Sequence, residues 1–158
     1  MSTVDAPVPS APAMAPAHVL LVRAPYYRDV VDGMTRGALR ILAASGSTHD
    51  TLDVAGAFEL AQAIRIALRG TTKYDGFVAL GCVVKGETDH YDFICRTSLD
   101  GLMQVALQYG LAMGTGLLTV HDIRQAEARS GKDTHNKGAE AAAAALTQIA
   151  AMRHLGAL

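Results

Sequence analysis

Apolar residues follow two patterns that alternate along most of this chain. Short apolar runs, such as HVLLVR at residues 18–23 and GLLTV at residues 116–120, are typical of strands buried on both faces. Between these runs, apolar residues recur at helical spacing, as over residues 30–42, where the pattern ends at a Ser45-Gly46 stop signal. The chain is therefore predicted to alternate strands and helices.

The predicted elements are four strands and five helices. The strands cover residues 18–23, 49–54, 77–80 and 116–120, and the helices cover residues 30–42, 59–68, 90–109, 123–129 and 138–154. We expect Asp122 and Gln125 to cap the fourth helix reciprocally, and Gly156 to close the fifth. Apolar strands alternating with helices predict an α/β protein: a three-layer α/β/α sandwich with a four-stranded parallel sheet, flavodoxin-like.

The first 17 residues differ in composition from the rest. The stretch MSTVDAPVPSAPAMAPA holds four of the five prolines and no basic residue. Such a segment buries too little apolar surface to offset its ordering entropy, so residues 1–17 are predicted to be a disordered Pro/Ala-rich tail before a single domain at residues 18–158. The tail lacks the features of a secretory signal, and no apolar run approaches the roughly 18 residues that span a bilayer.

Charge and cysteine content narrow the class of partner. A formal net charge of −1 argues against nucleic acid and acidic membranes, which usually select a basic surface. Cys82 and Cys95 lack metal-ligand spacing and form no CxxC pair, so they are interpreted as reduced structural thiols. The cytoplasm is the expected location.

The last predicted helix contains AEAAAAAL at residues 139–146, which is small and apolar nearly all round. In a chain of 158 residues, this pattern favours packing against another subunit as well as the helix's own sheet. A helix buried entirely within the monomer is the alternative.

Candidate chemistry follows the predicted strands. The segments RAPYY, AGAFE, GCVVKGETDHYD and HDIRQAEAR come after strands one to four. In open α/β sheets the ligand crevice lies beyond the carboxyl ends of the strands, so these segments are expected to converge.

The third segment crowds charged groups around His90. Asp89 and Asp92 are expected to cap the following helix, while the GET turn at residues 86–88 lies at its positive end, where a phosphate or carboxylate is favoured. His90 itself is a candidate acid–base group, although a histidine in a first helical turn is more often structural.

The other segments supply binding groups. Tyr26 and Tyr27 offer rings for stacking on a planar heterocycle, and Glu59 places a carboxylate at a helix start. Arg129 offers a fork for phosphate, and Lys137 adds a nearby charge. Each of these candidate binding residues could instead be an ordinary core, interface or solvated surface residue.

Three motifs together resemble the lumazine synthase family. They are GAFE at residues 56–59, GCVVKGETDHYD at residues 81–92, and IRQAEAR followed by NKG at residues 123–138. The likeness runs from residue 18 to the end. It implies a transferase that condenses 5-amino-6-(ribitylamino)uracil with 3,4-dihydroxy-2-butanone 4-phosphate in riboflavin biosynthesis, with no metal or organic cofactor.

The resemblance also assigns roles to residues. It places the catalytic histidine at His90, the stacking aromatic at Tyr26 and the phosphate-binding arginine at Arg129, beside Lys137. Further substrate contacts fall on Ala57, Phe58, Glu59, Cys82, Val83 and Val84, and the phosphate-binding turn falls on Gly86, Glu87 and Thr88.

The family builds its sites between adjacent subunits, so a homopentamer is implied, and small-molecule substrates are the expected partners. Thr115 occupies a position where many members carry a phenylalanine that reaches the neighbour's site. The alternative function is a low-activity or non-catalytic protein that binds a lumazine or a flavin. A mononucleotide-binding domain is disfavoured because no glycine-rich phosphate loop follows the first strand.

Overall fold

The computed structural model describes residues 7–132 and 135–158. Within these residues, helices and strands alternate as the sequence predicts. The strands are β1 (His18–Ala24), β2 (Thr48–Asp53), β3 (Gly76–Val84) and β4 (Met113–Val120). The helices are α1 (Arg28–Ala44), α2 (Leu60–Ala67), α3 (His90–Tyr109), α4 (Ile123–Glu127) and α5 (Lys137–His154), and 3₁₀ turns cover Pro25–Tyr27 and Ala57–Glu59.

The four strands form one parallel sheet in the order β2-β1-β3-β4. Side chains of β1 alternate between two apolar clusters: Val19 and Leu21 pack with α1 and α5, whereas Leu20 and Val22 pack with the α2 and α3 side. Helices therefore cover both faces of the sheet, which explains why the central strands carry no polar alternation. The three-layer α/β/α fold predicted from the sequence is confirmed.

Strand β2 departs from the expectation that every strand is apolar and buried. All six of its residues, THDTLD, are exposed. It lies at the edge of the sheet and pairs only with β1, so one row of its backbone groups has no strand partner within the described chain.

Strands β3 and β4 are longer than predicted because glycines inside them weaken the local signal. In β4, a Cβ built on Gly114 would lie 1.8 Å from the carbonyl oxygen of Ala141 in α5. On Gly116 it would lie 2.8 Å from the Leu80 side chain. These glycines let the last helix approach the sheet backbone, a contact that short-range periodicity cannot show.

The alanine-rich helix α5 buries one face within its own subunit, and the expectation that it also packs against another subunit stays a prediction. Its buried residues pack against α1 and the sheet. The backbones meet closely, because a Cβ on Gly138 would lie 1.9 Å from the Met34 carbonyl oxygen. Small side chains are therefore required by intrachain packing.

We expect Gly114→Ala to lower the free energy of unfolding by about 2 to 3 kcal/mol, because the added methyl group forces α5 away from β4. Urea unfolding followed by circular dichroism at a fixed protein concentration measures this change. Gly131→Ala is the matched control, since its Cβ would meet no atom closer than 3.9 Å. Equal destabilisation by both substitutions would contradict the packing argument.

The predicted start of α4 needs one correction, and the predicted end of α5 is confirmed. The Asp122 carboxylate accepts from the Arg124 backbone N–H at 2.8 Å, but Gln125 accepts from the backbone N–H of His121 rather than of Asp122. Gly156, at φ 70°, follows α5, where its own N–H and that of Ala157 bond back to the helix.

The tail predicted for residues 1–17 lies partly outside the described residues. In its second half, Ala11 and Met14 contact the apolar cluster on the α1 and α5 side. Arg153 donates to the backbone oxygens of Ala15 at 2.6 Å and Pro16 at 3.2 Å. Mobility of the tail stays a prediction. No helix in the described part of the chain is long and apolar enough to cross a membrane.

Candidate active site

A cleft of about 680 Å³ opens beyond the carboxyl ends of β1, β2 and β3. It is bounded by the two 3₁₀ turns, the end of β3 and the first turn of α3. Eight residues predicted for the site line it: Tyr26, Ala57, Phe58, Glu59, Cys82, Val83, Val84 and His90. The sheet edge therefore brings together segments that are more than 60 residues apart in the chain.

Tyr26 presents its ring to this cleft from the turn after β1. Pro25 begins that turn, and its fixed φ favours the tight conformation. The Tyr26 side chain is 76% exposed, and its ring meets that of Tyr27 edge to face at 5.2 Å. One face of an aromatic ring is thus open for a planar ligand.

The GAFE segment lines the same cleft. Ala57 is buried and anchors the turn, whereas Phe58 is 48% exposed. A Cβ on Gly56 would lie 3.3 Å from the Glu59 carboxylate, so a glycine here leaves room for that side chain. The turn therefore offers an apolar ring and a carboxylate to the same cavity.

The floor of the cleft is the end of β3. Cys82 is buried, and burial raises the pKa of its thiol to about 11, with Cys95 adding to the shift. The thiol is therefore protonated at neutral pH and is a lining group rather than a nucleophile. Val83 and Val84 are half-buried, and β3 pairing ends where the Lys85 N–H donates to the Val120 carbonyl oxygen at 2.8 Å.

His90 is the first residue of α3, and its side chain is exposed at the cleft wall. The expected Asp-x-x-Asp cap is not formed. Asp89 is the N-cap residue but makes no side-chain cap hydrogen bond, because its helical φ and ψ of −68° and −5° aim the carboxylate away from the first-turn amides. Gly86, Glu87 and Thr88 form the exposed turn that leads into this uncapped helix end.

Three residues predicted for the site, Arg129, Lys137 and Thr115, do not line this cleft. The Arg129 guanidinium donates to the Gln125 carbonyl oxygen at 2.8 Å, after the end of α4. The Lys137 ammonium forms an ion pair with Glu140, and its backbone N–H donates to the Arg129 carbonyl oxygen. Neither residue lines the His90 cleft.

Thr115 lines a different cavity. This apolar groove, of about 610 Å³, lies between α3, β4 and the end of α5. Met103 and Leu107 of α3 border it and are 60% and 75% exposed. The structure therefore separates Thr115, Arg129 and Lys137 from His90 within one subunit.

Sequence reasoning gave no role to Asn136, which organises the segment that carries Arg129 and Lys137. Its side chain is 1% exposed, and its Oδ1 accepts from the backbone N–H groups of Gly138 and Ala139 at 2.9 and 3.1 Å. An asparagine before a predicted helix is a usual N-cap signal, and this signal was available in the sequence.

The cleft also includes four lining residues that are not among the site residues assigned by the family resemblance: Tyr27, Ala55, Gly56 and Ile94. Tyr27 and Gly56 directly flank predicted site residues in the sequence, and Ala55 precedes Gly56. Ile94 lies one helical turn after His90, so helical periodicity places it on the same side of α3.

Comparison with known proteins identifies the family of this chain. The family model described as 6,7-dimethyl-8-ribityllumazine synthase matches residues 16–153. A Rhizobium meliloti (strain 1021) protein named 6,7-dimethyl-8-ribityllumazine synthase 1 is 45% identical over 90% of this chain and 95% of its own length. Proteins named 6,7-dimethyl-8-ribityllumazine synthase from Agrobacterium fabrum and Bartonella tribocorum are 43% and 41% identical, covering 90% and 88% of this chain and 99% and 92% of their own. The chain belongs to the 6,7-dimethyl-8-ribityllumazine synthase family.

Proposed function

We propose that this lumazine synthase condenses 5-amino-6-(ribitylamino)uracil with 3,4-dihydroxy-2-butanone 4-phosphate to give 6,7-dimethyl-8-ribityllumazine. The observation that carries this proposal is a single cleft lined by an exposed tyrosine ring, a carboxylate and an imidazole. Formation of the lumazine absorbance from the two substrates tests it directly.

The pyrimidine is proposed to stack on Tyr26 and to contact the Val83–Val84 backbone, with Ala57, Phe58 and Glu59 beside the ribityl chain. The exposed ring of Tyr26 supports this assignment, as does the presence of Glu59 in the lining of the same cavity.

The phosphate of the second substrate is proposed to bind the turn formed by Gly86, Glu87 and Thr88. The exposed, uncapped start of α3 supports this because its first backbone N–H groups and the helix dipole favour an anion. Arg129 completes the anchor with a guanidinium fork, and Lys137 adds charge nearby.

The reaction proceeds in four steps. The substrate amine attacks the ketone carbonyl, water leaves to give an imine, phosphate is eliminated, and the second nitrogen closes the ring with loss of another water. Holding both substrates in one orientation contributes up to about 7–11 kcal/mol of barrier lowering. His90 moves protons to and from the reacting oxygen and nitrogen atoms, because imidazole can accept and donate near neutral pH.

Arg129→Ala is expected to raise the KM for the phosphorylated ketone by about tenfold or more, because one charge-assisted anchor of the phosphate is lost. The KM for the uracil should change little. Steady-state kinetics with each substrate varied in turn measures this split.

Arg124→Ala is the control for this measurement. Arg124 lies on α4, the short helix just before Arg129, but its guanidinium pairs with Asp122 at 2.7 Å and its side chain is 83% exposed. Its replacement should leave both KM values near wild type. An equal rise in both KM values of Arg129→Ala would rule out a phosphate-specific role.

We further propose that the site is completed by a neighbouring copy in a homopentamer. Two features of the subunit support this. Arg129, Lys137 and Thr115 do not line the cleft that holds His90, and the groove bordered by Met103, Leu107 and Thr115 exposes apolar surface suited to a subunit contact. Intact-assembly mass measurement tests the subunit number.

The non-catalytic alternative gains no support. A protein that only stores a lumazine needs ring stacking and hydrogen bonds but no acid–base group. No feature of the described cleft residues favours storage over turnover, and the relatives reported above are all named as synthases.

A further inference from the structure

A second cleft, of about 330 Å³, lies between α1 and the segment that joins α4 to α5. None of its lining residues lines the candidate active site. Its floor is a direct contact between α1 and that segment: a Cβ on Gly33 would lie 2.3 Å from the Ser130 carbonyl oxygen, and one on Gly37 would lie 2.0 Å from the Asn136 side-chain oxygen. The cleft is therefore shallow at its base and formed by two separate parts of the chain.

Backbone oxygens at this floor are already hydrogen-bonded. The Asn136 amide Nδ2 donates to the carbonyl oxygens of Gly33 at 3.0 Å, Ser130 at 3.1 Å and Gly131 at 2.8 Å. Carbonyl oxygens are the groups that would repel a bound anion most directly. Their engagement by one buried amide lowers that repulsion.

Among the residues that the structure describes, every charged residue that lines this cleft is basic: Arg36 and Arg40 from α1, and Lys132 from the joining segment. All three are exposed, and none forms an ion pair with a carboxylate of the described residues. The chain as a whole has a formal net charge of −1, so this local excess of positive charge is not a reflection of composition.

Without a bound anion, these neighbouring positive charges repel one another. Arg36 and Arg40 are four residues apart on a helix, and like charges at that spacing destabilise a helix by about 0.2–0.5 kcal/mol. Lys132 adds a third positive charge from the facing segment. An anion seated between them would relieve this repulsion, whereas simple solvation requires neither the concave shape nor the contribution of two elements.

We propose that this cleft is a second binding site, for a small anion that carries one or two phosphate groups. The guanidinium groups of Arg36 and Arg40 would each donate paired N–H hydrogen bonds to phosphate oxygens. Lys132 would add a point charge from the segment that joins α4 to α5. A volume of about 330 Å³ is at the lower end of the usual range for ligand sites and suits an anion of this size.

Isothermal titration calorimetry of the full chain with pyrophosphate tests the proposal. The Arg36→Gln/Arg40→Gln double variant should bind pyrophosphate about tenfold or more weakly than wild type, since each lost charge-assisted hydrogen bond costs a comparable factor. The Arg69→Gln/Lys73→Gln double variant is the matched control, because it removes the same charge from exposed residues outside this cleft. It should retain wild-type affinity. Circular dichroism confirms that both variants are folded.

Two further measurements separate this site from the active site. Arg129→Ala should keep the affinity assigned to the second cleft, and Arg36→Gln/Arg40→Gln should keep the synthase activity. Wild-type affinity in Arg36→Gln/Arg40→Gln would overturn the proposal, as would equal losses in both double variants, loss of all binding in Arg129→Ala, or no measurable binding to wild type.

Discussion

Replacing His90 by glutamine is expected to lower kcat by about a hundredfold to ten-thousandfold, the usual contribution of a positioned acid–base group. His90 is the imidazole that lines the cleft shared with Tyr26 and Glu59. Glutamine keeps a polar side chain of similar length but cannot exchange protons near neutral pH. The KM values should change less than kcat, because the proposed stacking and phosphate contacts are made by other residues. Steady-state rates of lumazine formation measure the effect.

His49→Gln is the control for this substitution. His49 is an exposed imidazole near the start of β2, away from the carboxyl-terminal edge where the cleft opens. Its replacement should leave kcat near wild type. A His90→Gln enzyme with wild-type kcat would mean that orientation of the substrates supplies the whole rate enhancement.

The same variant tests whether sites form between copies. When His90→Gln chains are unfolded and refolded together with Arg129→Ala chains, about one interface in four of a closed ring pairs an intact His90 with an intact Arg129. Activity should then exceed that of either variant alone. If the mixed assembly is no more active than the separate variants, Arg129 does not act across a subunit contact.

Asn136→Ala is expected to lower the free energy of unfolding by about 4 kcal/mol, because buried partners on three parts of the chain lose their hydrogen bonds together. The three carbonyl oxygens of Gly33, Ser130 and Gly131 lose a donor. The first amides of α5 lose their cap. Little room exists for a water to replace the amide, since Asn136 is 1% exposed and packs against Gly37. Urea unfolding at a fixed protein concentration measures the loss.

Gln148→Ala is the matched control for Asn136. Gln148 also has an amide side chain that bonds to the backbone, donating to the Met113 carbonyl oxygen at 2.7 Å, but this pair is exposed. Water can take its place, so the cost should be about 1 kcal/mol or less. Similar losses in the two variants would show that burial is not what makes Asn136 important.

The bounds of α3, which begins at His90, were predicted correctly from the sequence, as was the segment order around the site. Both depend on local signals: helical periodicity, and the rule that the carboxyl ends of parallel strands share one edge. The prediction of a side-chain cap at Asp89 was wrong, because capping depends on backbone angles that residue identity does not dictate.

Local pattern by itself determined that strands and helices alternate, that the sheet is parallel, and that Tyr26, Glu59 and His90 follow strands ending at one edge. Only the tertiary structure decided three other points. It packed one face of the alanine-rich helix against α1 and the sheet, left β2 exposed at the sheet edge, and kept Arg129 and Lys137 out of the His90 cleft. These outcomes depend on contacts between distant residues, such as the bond from Asn136 to Gly33 across 103 positions. Periodicity describes which face of an element is apolar, but it does not contain the identity of the element that will cover that face.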